Sequence, residues 1–400
     1  MKTNGFRRAR IARITPPRLQ TLDESRGRTA TWLELFYDLA FVVVVAVLGQ
    51  RLHDDISWSG LASFGGYFAL LWWLWVSHTF YADRYDTDDL VYRLLAMAQM
   101  LAVLVIAAAL TAGPAESTVA FSAGYATARL VLLAMYVRVY RHVTETRYLV
   151  GGYLIGFGLA AALWTTSIFA PEPSRFALWA VALTVDLATP WLMRRQQAEV
   201  PLDVSHLPER FGLFTILVMG ESLAAVMVGL GHHHWSWGSV LGAALGVGLT
   251  TTLWWLYFDN AEGSVVRRRD TDRRTWRPTA WIYAHLPLAA ALAALGVALE
   301  HIVTEVGDGR MDPSLRWLLV GAVIIALSAM ALTQLASLGH PMGSLNRAIS
   351  LNRLAALPIL LVIGVLGRPR PLVVVLGVLG VCVAVLIADL WAWDREDDRG

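Results

Sequence analysis

Glu34, Asp38, Gln99, Arg129, Glu221 and His285 are polar or ionisable side chains set inside long apolar runs of this chain. An ionisable group at bilayer depth costs roughly 2.5–3.5 kcal/mol to insert, so each needs a partner or a wet cavity. Glu221 falls midway along its run, directly after Gly220, whose missing side chain would let a neighbouring helix, an ion or water come close. A carboxylate in that setting can bind a cation or carry a proton, and its plainer alternative is a structural ion pair. Glu34 and Asp38 are one helical turn apart and share a face. They are also good helix-start residues, and Glu209 repeats Glu34 in the second half behind Pro208. Arg129 is too deep in its run to snorkel and should meet a carboxylate, with Glu221 and Asp38 as the candidates. Gln99 and His285 are placed to line a pathway or to bond between helices.

A second group is interfacial. The stretch Asp83 to Asp89 gathers Asp83, Asp86, Asp88 and Asp89 around Arg84, and a counterpart begins at Asp259. Short charged loops of this kind can lock one conformation by ion pairs that break in another. A solvated turn is the alternative. His78 stands at the end of its run, within reach of this loop. Asp186 and Asp389 take matching positions at the ends of two later runs, where interfacial water is at hand. His232, His233 and His234 are consecutive, point different ways and do not converge on one metal ion. No metal site or cofactor is expected.

The elements that must hold these groups are membrane helices. The chain has 400 residues, 56% hydrophobic and 16% charged, against about 25% charged in soluble domains. Only a helix satisfies its own backbone across a bilayer without closing a barrel. Twelve apolar runs are expected to span: 31–50, 59–81, 91–112, 118–139, 149–169, 175–192, 209–230, 239–258, 279–301, 315–338, 351–366 and 372–391. The eleventh is the weakest, being short and carrying Arg353 and Pro358. Of the 33 basic residues, 26 fall in the termini and even-numbered loops and six in the odd-numbered loops, which places both termini in the cytoplasm. The first run is expected to act as an uncleaved anchor, because residues 1–28 show no apolar signal core. The basic residues are spread between the runs, which excludes nucleic acid as a partner. The single cysteine, Cys382, excludes an intrachain disulfide.

The two halves resemble each other. Leu33-Glu34-Leu35-Phe36 is echoed by Pro208-Glu209-Arg210-Phe211, and Leu71-Trp72-Trp73-Leu74-Trp75 by Leu253-Trp254-Trp255-Leu256-Tyr257. Asp186-Leu187 and Asp389-Leu390 close the pattern. The expected fold is therefore an all-α integral membrane protein of two parallel-related six-helix repeats. Its segments are a basic cytoplasmic stretch at 1–30, a first repeat at 31–200, a second at 201–393 and a charged tail at 394–400. Gly152 with Gly156, and Gly242 with Gly246, have the spacing for close helix contact.

Four segments carry a family resemblance: residues 31–41 (TWLELFYDLAF), 84–89 (RYDTDD), 209–214 (ERFGLF) running to Gly220-Glu221-Ser222, and 254–259 (WWLYFD). In these the chain resembles the bacterial low temperature requirement protein A family over roughly residues 28–390. The resemblance implies a multi-pass membrane protein and carries no reaction with it. A fainter similarity, an aromatic residue closely followed by Asp in the first of six helices, is to the duplicated six-helix lysosomal potassium channels, although Leu213 stands where a second copy of Asp38 would align.

These readings converge on a secondary transporter or permease, proton- or cation-coupled, with its pathway between the repeats and using Glu221, Asp38 and Arg129. A cation channel is the nearest variant. A membrane-embedded enzyme would need a nucleophile, base or metal cluster, and neither G-x-S-x-G nor H-E-x-x-H occurs, so no enzymatic activity is expected. A scaffold supporting growth in the cold is the third class. The expected partners are the bilayer and a small solute or ion, in the bacterial plasma membrane. Oligomeric state is left open.

Overall fold

The computed structural model of the chain describes residues 14–20, 30–86, 88–112, 114–200, 206–231, 236–260, 277–304, 309–337, 343–367 and 369–397. The helices are α1 (Trp32–Asp54), α2 (Trp58–Arg84), α3 (Leu90–Thr111), α4 (Pro114–His142), α5 (Arg147–Phe169), α6 (Ser174–Leu192), the short α7 (Arg194–Glu199), α8 (His206–Gly231), α9 (Trp237–Phe258), α10 (Arg277–Thr304), α11 (Pro313–Ala336), α12 (Gly343–Val365) and α13 (Pro371–Asp397). The protein is an all-α membrane protein. Among the described residues eleven helices are long and apolar enough to cross a bilayer. The sixth expected span forms as α6 but is not among them. Arg175 and Asp186 dilute its apolarity, and both side chains are buried against protein. The eleventh expected span is longer than its apolar core indicated, because the helix continues back to Gly343 and carries Arg353 inward.

Local chemistry starts these helices where the structure puts them. Thr31 and Glu34 form a capping box at α1: the Thr31 amide donates to Glu34 Oε2 at 2.8 Å and the Glu34 amide to Thr31 Oγ1 at 3.3 Å. Asp89 caps α3 by accepting from the Tyr92 amide, Ser236 caps α9, and Asp312 caps α11 ahead of Pro313. Trp32, Trp58 and Trp237, each the first residue of its helix, are 85–90% exposed, as interfacial anchors are.

The chain forms two compact units, residues 1–44 with 73–207 and residues 45–72 with 208–400. The loop-proximal parts of α1 and α2 thus belong with the second unit. Inside the first, α3, α4, α5 and α6 pack in succession. Their core is aromatic, with Tyr81, Tyr92, Tyr136, Tyr153 and Phe157 in mutual contact. Gly152 and Gly156 let α5 approach the end of α6. A Cβ at Gly156 would meet the Thr189 side chain at 2.1 Å. Within the second unit α10 is the most enclosed helix, 78% buried along its apolar window against 33% for α12 and α13, which makes it the central element. Alanine and glycine on α10 allow that enclosure.

One short antiparallel ribbon accompanies the helices. Arg18–Leu19 (β1) pairs with Tyr85–Asp86 (β2), Arg18 opposite Asp86 and Leu19 opposite Tyr85. Part of the basic N-terminal segment is therefore docked on the first unit and is not a free tail. Thr15-Pro16-Pro17 holds the preceding backbone extended.

The close approach of α8 and α10 sets a first prediction. A methyl at Gly296 would lie 2.7 Å from the Ser222 Cα, a backbone atom that cannot rotate away. Gly296→Ala should cost about 1–3 kcal/mol, read as a lower unfolding midpoint of the detergent-solubilised protein.

Candidate functional site

The polar groups of the first unit are gathered on α2, whose Ser77, His78, Thr79, Asp83 and Arg84 are all buried. Three clusters meet it. In the first, His206, the opening residue of α8, sits fully buried between two carboxylates. Its Nδ1 is hydrogen-bonded to Asp83 Oδ1 at 3.2 Å, and its Nε2 lies 3.3 Å from Glu34 Oε2. A neutral imidazole can donate from only one ring nitrogen. With both nitrogens facing carboxylates, the cluster holds either an imidazolium between two anions or a shared proton on one acid. Either arrangement stores an exchangeable proton.

In the second cluster, Gln99 Nε2 donates to the Ala128 carbonyl at 3.2 Å, which turns its Oε1 toward His78 Nδ1 at 2.8 Å. That amide orientation requires His78 to carry its proton on Nδ1, leaving Nε2 to face the Tyr92 hydroxyl at 3.4 Å. Tyr37 stacks on the same ring at 3.9 Å, and one residue later Asp38 accepts from the Trp75 indole at 2.7 Å. His285 in the second unit follows the same logic: Nδ1 donates to the Trp281 carbonyl at 2.7 Å and Nε2 accepts from the Tyr257 hydroxyl at 3.0 Å. Both histidines are thereby satisfied as neutral rings.

The third cluster corrects the partner expected for Arg129. Its Nη2 is 2.5 Å from Asp186 Oδ2, both side chains fully buried, and its Nη1 donates to Ser77 Oγ at 3.1 Å. Asp186, read from sequence as interfacial, is enclosed, because α6 lies along α5 and turns this face inward. The second unit has its own buried pair, in which Arg353 approaches Asp389 at 3.5 Å and donates to the Leu256 carbonyl at 2.7 Å, while Asn352 holds the other carboxylate oxygen.

Glu221 is only half-buried, and among the described residues no hydrogen bond or ion pair holds it. Gly220 gives open space, with nothing within 4 Å of where a Cβ would stand. It does not serve the close approach expected of it. That approach is made instead at Ser222, whose hydroxyl donates to the Leu292 carbonyl at 2.8 Å.

The acidic stretch is not a solvated loop. Asp83 and Arg84 close α2, and Arg84 Nε donates to the Val200 carbonyl at 3.3 Å. His78, further back on α2, bonds to Gln99. Asp86 lies in β2, and Asp88 pairs with Arg93 at the surface. Asp89 takes a bidentate grip from Arg138 and the amides of Tyr92 and Thr15. Burial opposes its charge, and the Arg138 guanidinium and those amides outweigh it, holding the carboxyl below the usual carboxylate range. Asp259 ends α9 and accepts from the Trp255 indole at 2.5 Å. The remainder of its loop and the histidines at 232–234 lie outside the described residues. Among the described residues no group of three or more His, Cys, Asp or Glu is arranged to hold a metal ion.

His206 is not singled out by the sequence, since the expected seventh span, 209–230, begins three residues after it, whereas the helix opens at His206. A usable signal was present: a lone histidine just ahead of Pro208-Glu209, where a helix begins. Nor does the sequence single out Arg353 as the mate of Asp389.

The family described as bacterial low temperature requirement A protein (LtrA) matches residues 29–388. An uncharacterised protein of Rhizobium meliloti (strain 1021) is 26% identical over 277 residues, covering 66% of this chain and 67% of its own length. No solved structure matches the chain.

Two predictions follow from these pairs. Arg129→Met leaves Asp186 buried without its cation and should cost about 3–5 kcal/mol, whereas Arg129→Met with Asp186→Leu should recover much of that loss, measured by thermal unfolding of each variant in detergent. At Asp89 the depressed carboxyl stabilises the fold fully above the ordinary Asp value of about 3.9 and ceases to do so as pH falls through its lower, folded value. Asp89→Ala should release residues 15–20, seen as faster amide exchange at Leu19 and Gln20 at pH 7.

Proposed function

The chain belongs to the bacterial low temperature requirement A family, and on that premise we propose that it is a proton-coupled secondary transporter of the bacterial plasma membrane, without enzymatic activity, whose proton site is Glu34–His206–Asp83. The observation that carries this reading is the fully buried imidazole with a carboxylate at each ring nitrogen. Intramembrane acids and histidines of this kind are the usual carriers of coupled protons.

The three residues stand at three helix ends: Glu34 opens α1, Asp83 lies at the end of α2, and His206 opens α8. When a proton arrives on Glu34 or Asp83, that acid ceases to be a charge partner for His206 and its attraction for the ring weakens. Loss of the proton restores it. A change of one proton therefore alters the tie among three helix ends, which is the type of bistable contact that alternating access requires. The neutral, satisfied rings of His78 and His285 are assigned to packing. Glu221 is assigned to the solute or ion pathway, because it is half-buried and unheld. Arg129–Asp186 is assigned to structure, since each is already enclosed by the other.

Liposomes reconstituted with the purified protein and loaded with a pH-sensitive dye test the assignment. Wild type should pass protons down an imposed gradient, and His206→Gln should slow that flux by at least about tenfold with its helical content intact. Glu221→Gln should reduce it as well. Wild-type liposomes that stay proton-tight under pH, sodium and potassium gradients would overturn the reading.

A further inference from the structure

The loop end of the α1–α2 hairpin holds a cavity of about 260 Å³, within the second unit, that takes no part in the proton chemistry above. We propose that it binds the headgroup of a phospholipid that carries both a phosphate and a primary ammonium, with Arg51 on the phosphate and Asp55 on the ammonium.

Both charges line the same cavity. The Arg51 guanidinium lies 5.9 Å from the centroid of the Tyr67 ring, and both residues line the cavity. Asp55 stands on the turn between the helices, where the Ser57 amide donates to its Oδ1 at 3.0 Å. The Ser57 hydroxyl and amide hold its carboxyl below the ordinary range, so it is a fixed anion at neutral pH. The first turn of α2, at Ser59 and Gly60, also lines the space and adds the positive end of a 27-residue helix. A simple anion would meet Asp55 and a simple cation would meet Arg51. A ligand bearing both charges a few bonds apart satisfies the two walls together.

Depth identifies the ligand as a lipid. Trp58, on the first residue of α2, is 85% exposed, which is the interfacial position where headgroups lie. Leu48, Leu52 and Phe64 form the apolar side of the cavity.

Native mass spectrometry of the detergent-solubilised full chain tests the site with three probes: palmitoyl-oleoyl phosphatidylethanolamine, the matching phosphatidylglycerol, and free phosphoethanolamine. Phosphatidylethanolamine should be retained about three- to fivefold more than phosphatidylglycerol. Arg51→Gln should lose that retention, and Asp55→Asn should erase the preference between the two lipids. Ser63→Trp, which fills the cavity and leaves both charges in place, should also lower occupancy, so the test survives if Arg51→Gln fails to fold by circular dichroism. Equal retention of the two lipids by wild type, or undiminished binding in both Arg51→Gln and Ser63→Trp, would overturn the proposal. Retention of free phosphoethanolamine as strong as that of the lipid would overturn the lipid as ligand. Occupancy is read without any flux, so this outcome is independent of the transport reading.

Discussion

A charged group taken out of water must find its countercharge inside the protein, and in the first unit that demand organises everything around α2. His206 has a carboxylate beside each ring nitrogen only because Glu34 is held in place by its own helix cap and Asp83 is carried to the buried end of α2. Arg129 keeps its charge only because α6 brings Asp186 against it. Removing one member of such a pair leaves the other stranded, which costs more than the pair contributes to stability. The helices that supply these residues are therefore constrained in rotation and depth as well as in sequence.

The same demand explains why Asp83, at the end of α2, and Asp89, just beyond it, turn inward. Four acids near a membrane surface would repel one another if left in water, and here each described carboxylate has its own cation, amide or imidazole. Asp89 is the clearest case, since it serves at once as the cap of α3, the mate of Arg138 and the anchor of Thr15. The N-terminal ribbon is a consequence: once Asp89 fixes Thr15, the next residues lie alongside Tyr85 and Asp86 and complete backbone pairing that an isolated two-residue strand would not hold. The basic segment, whose charge marks topology in the sequence, thereby gains a structural task.

Neutral polar groups are settled more cheaply. His78 and His285 each resolve to one tautomer because a carbonyl or amide oxygen faces Nδ1 and a tyrosine hydroxyl faces Nε2. They resemble each other in chemistry and differ from His206, which has an acid on either side. The distinction between a packing histidine and a proton-handling one rests on those neighbours and not on depth or residue type.

Much of this protein is legible without coordinates. Runs of apolar residues longer than a bilayer is thick can only be helices, because the backbone has no other way to satisfy itself there, and that argument alone yields the all-α class and nearly all the spans. The family segments, the capping signals Thr31/Glu34 and Asp312/Pro313, and the need of Arg129 for an acid follow from local chemistry in the same way. The choice of acid does not. Glu221, Asp38 and Asp186 are equally acceptable to Arg129 on grounds of charge, and the selection depends on which helix turns which face toward α4, a matter of packing among segments far apart in the chain. His206 was hidden for the same reason: its two carboxylates lie 172 and 123 residues earlier, and nothing local to Ser205-His206-Leu207 announces them. Sequence determined what had to be buried and that it needed partners. Tertiary structure alone decided which partners, because complementarity between distant helices is a property of their packing and not of any one segment.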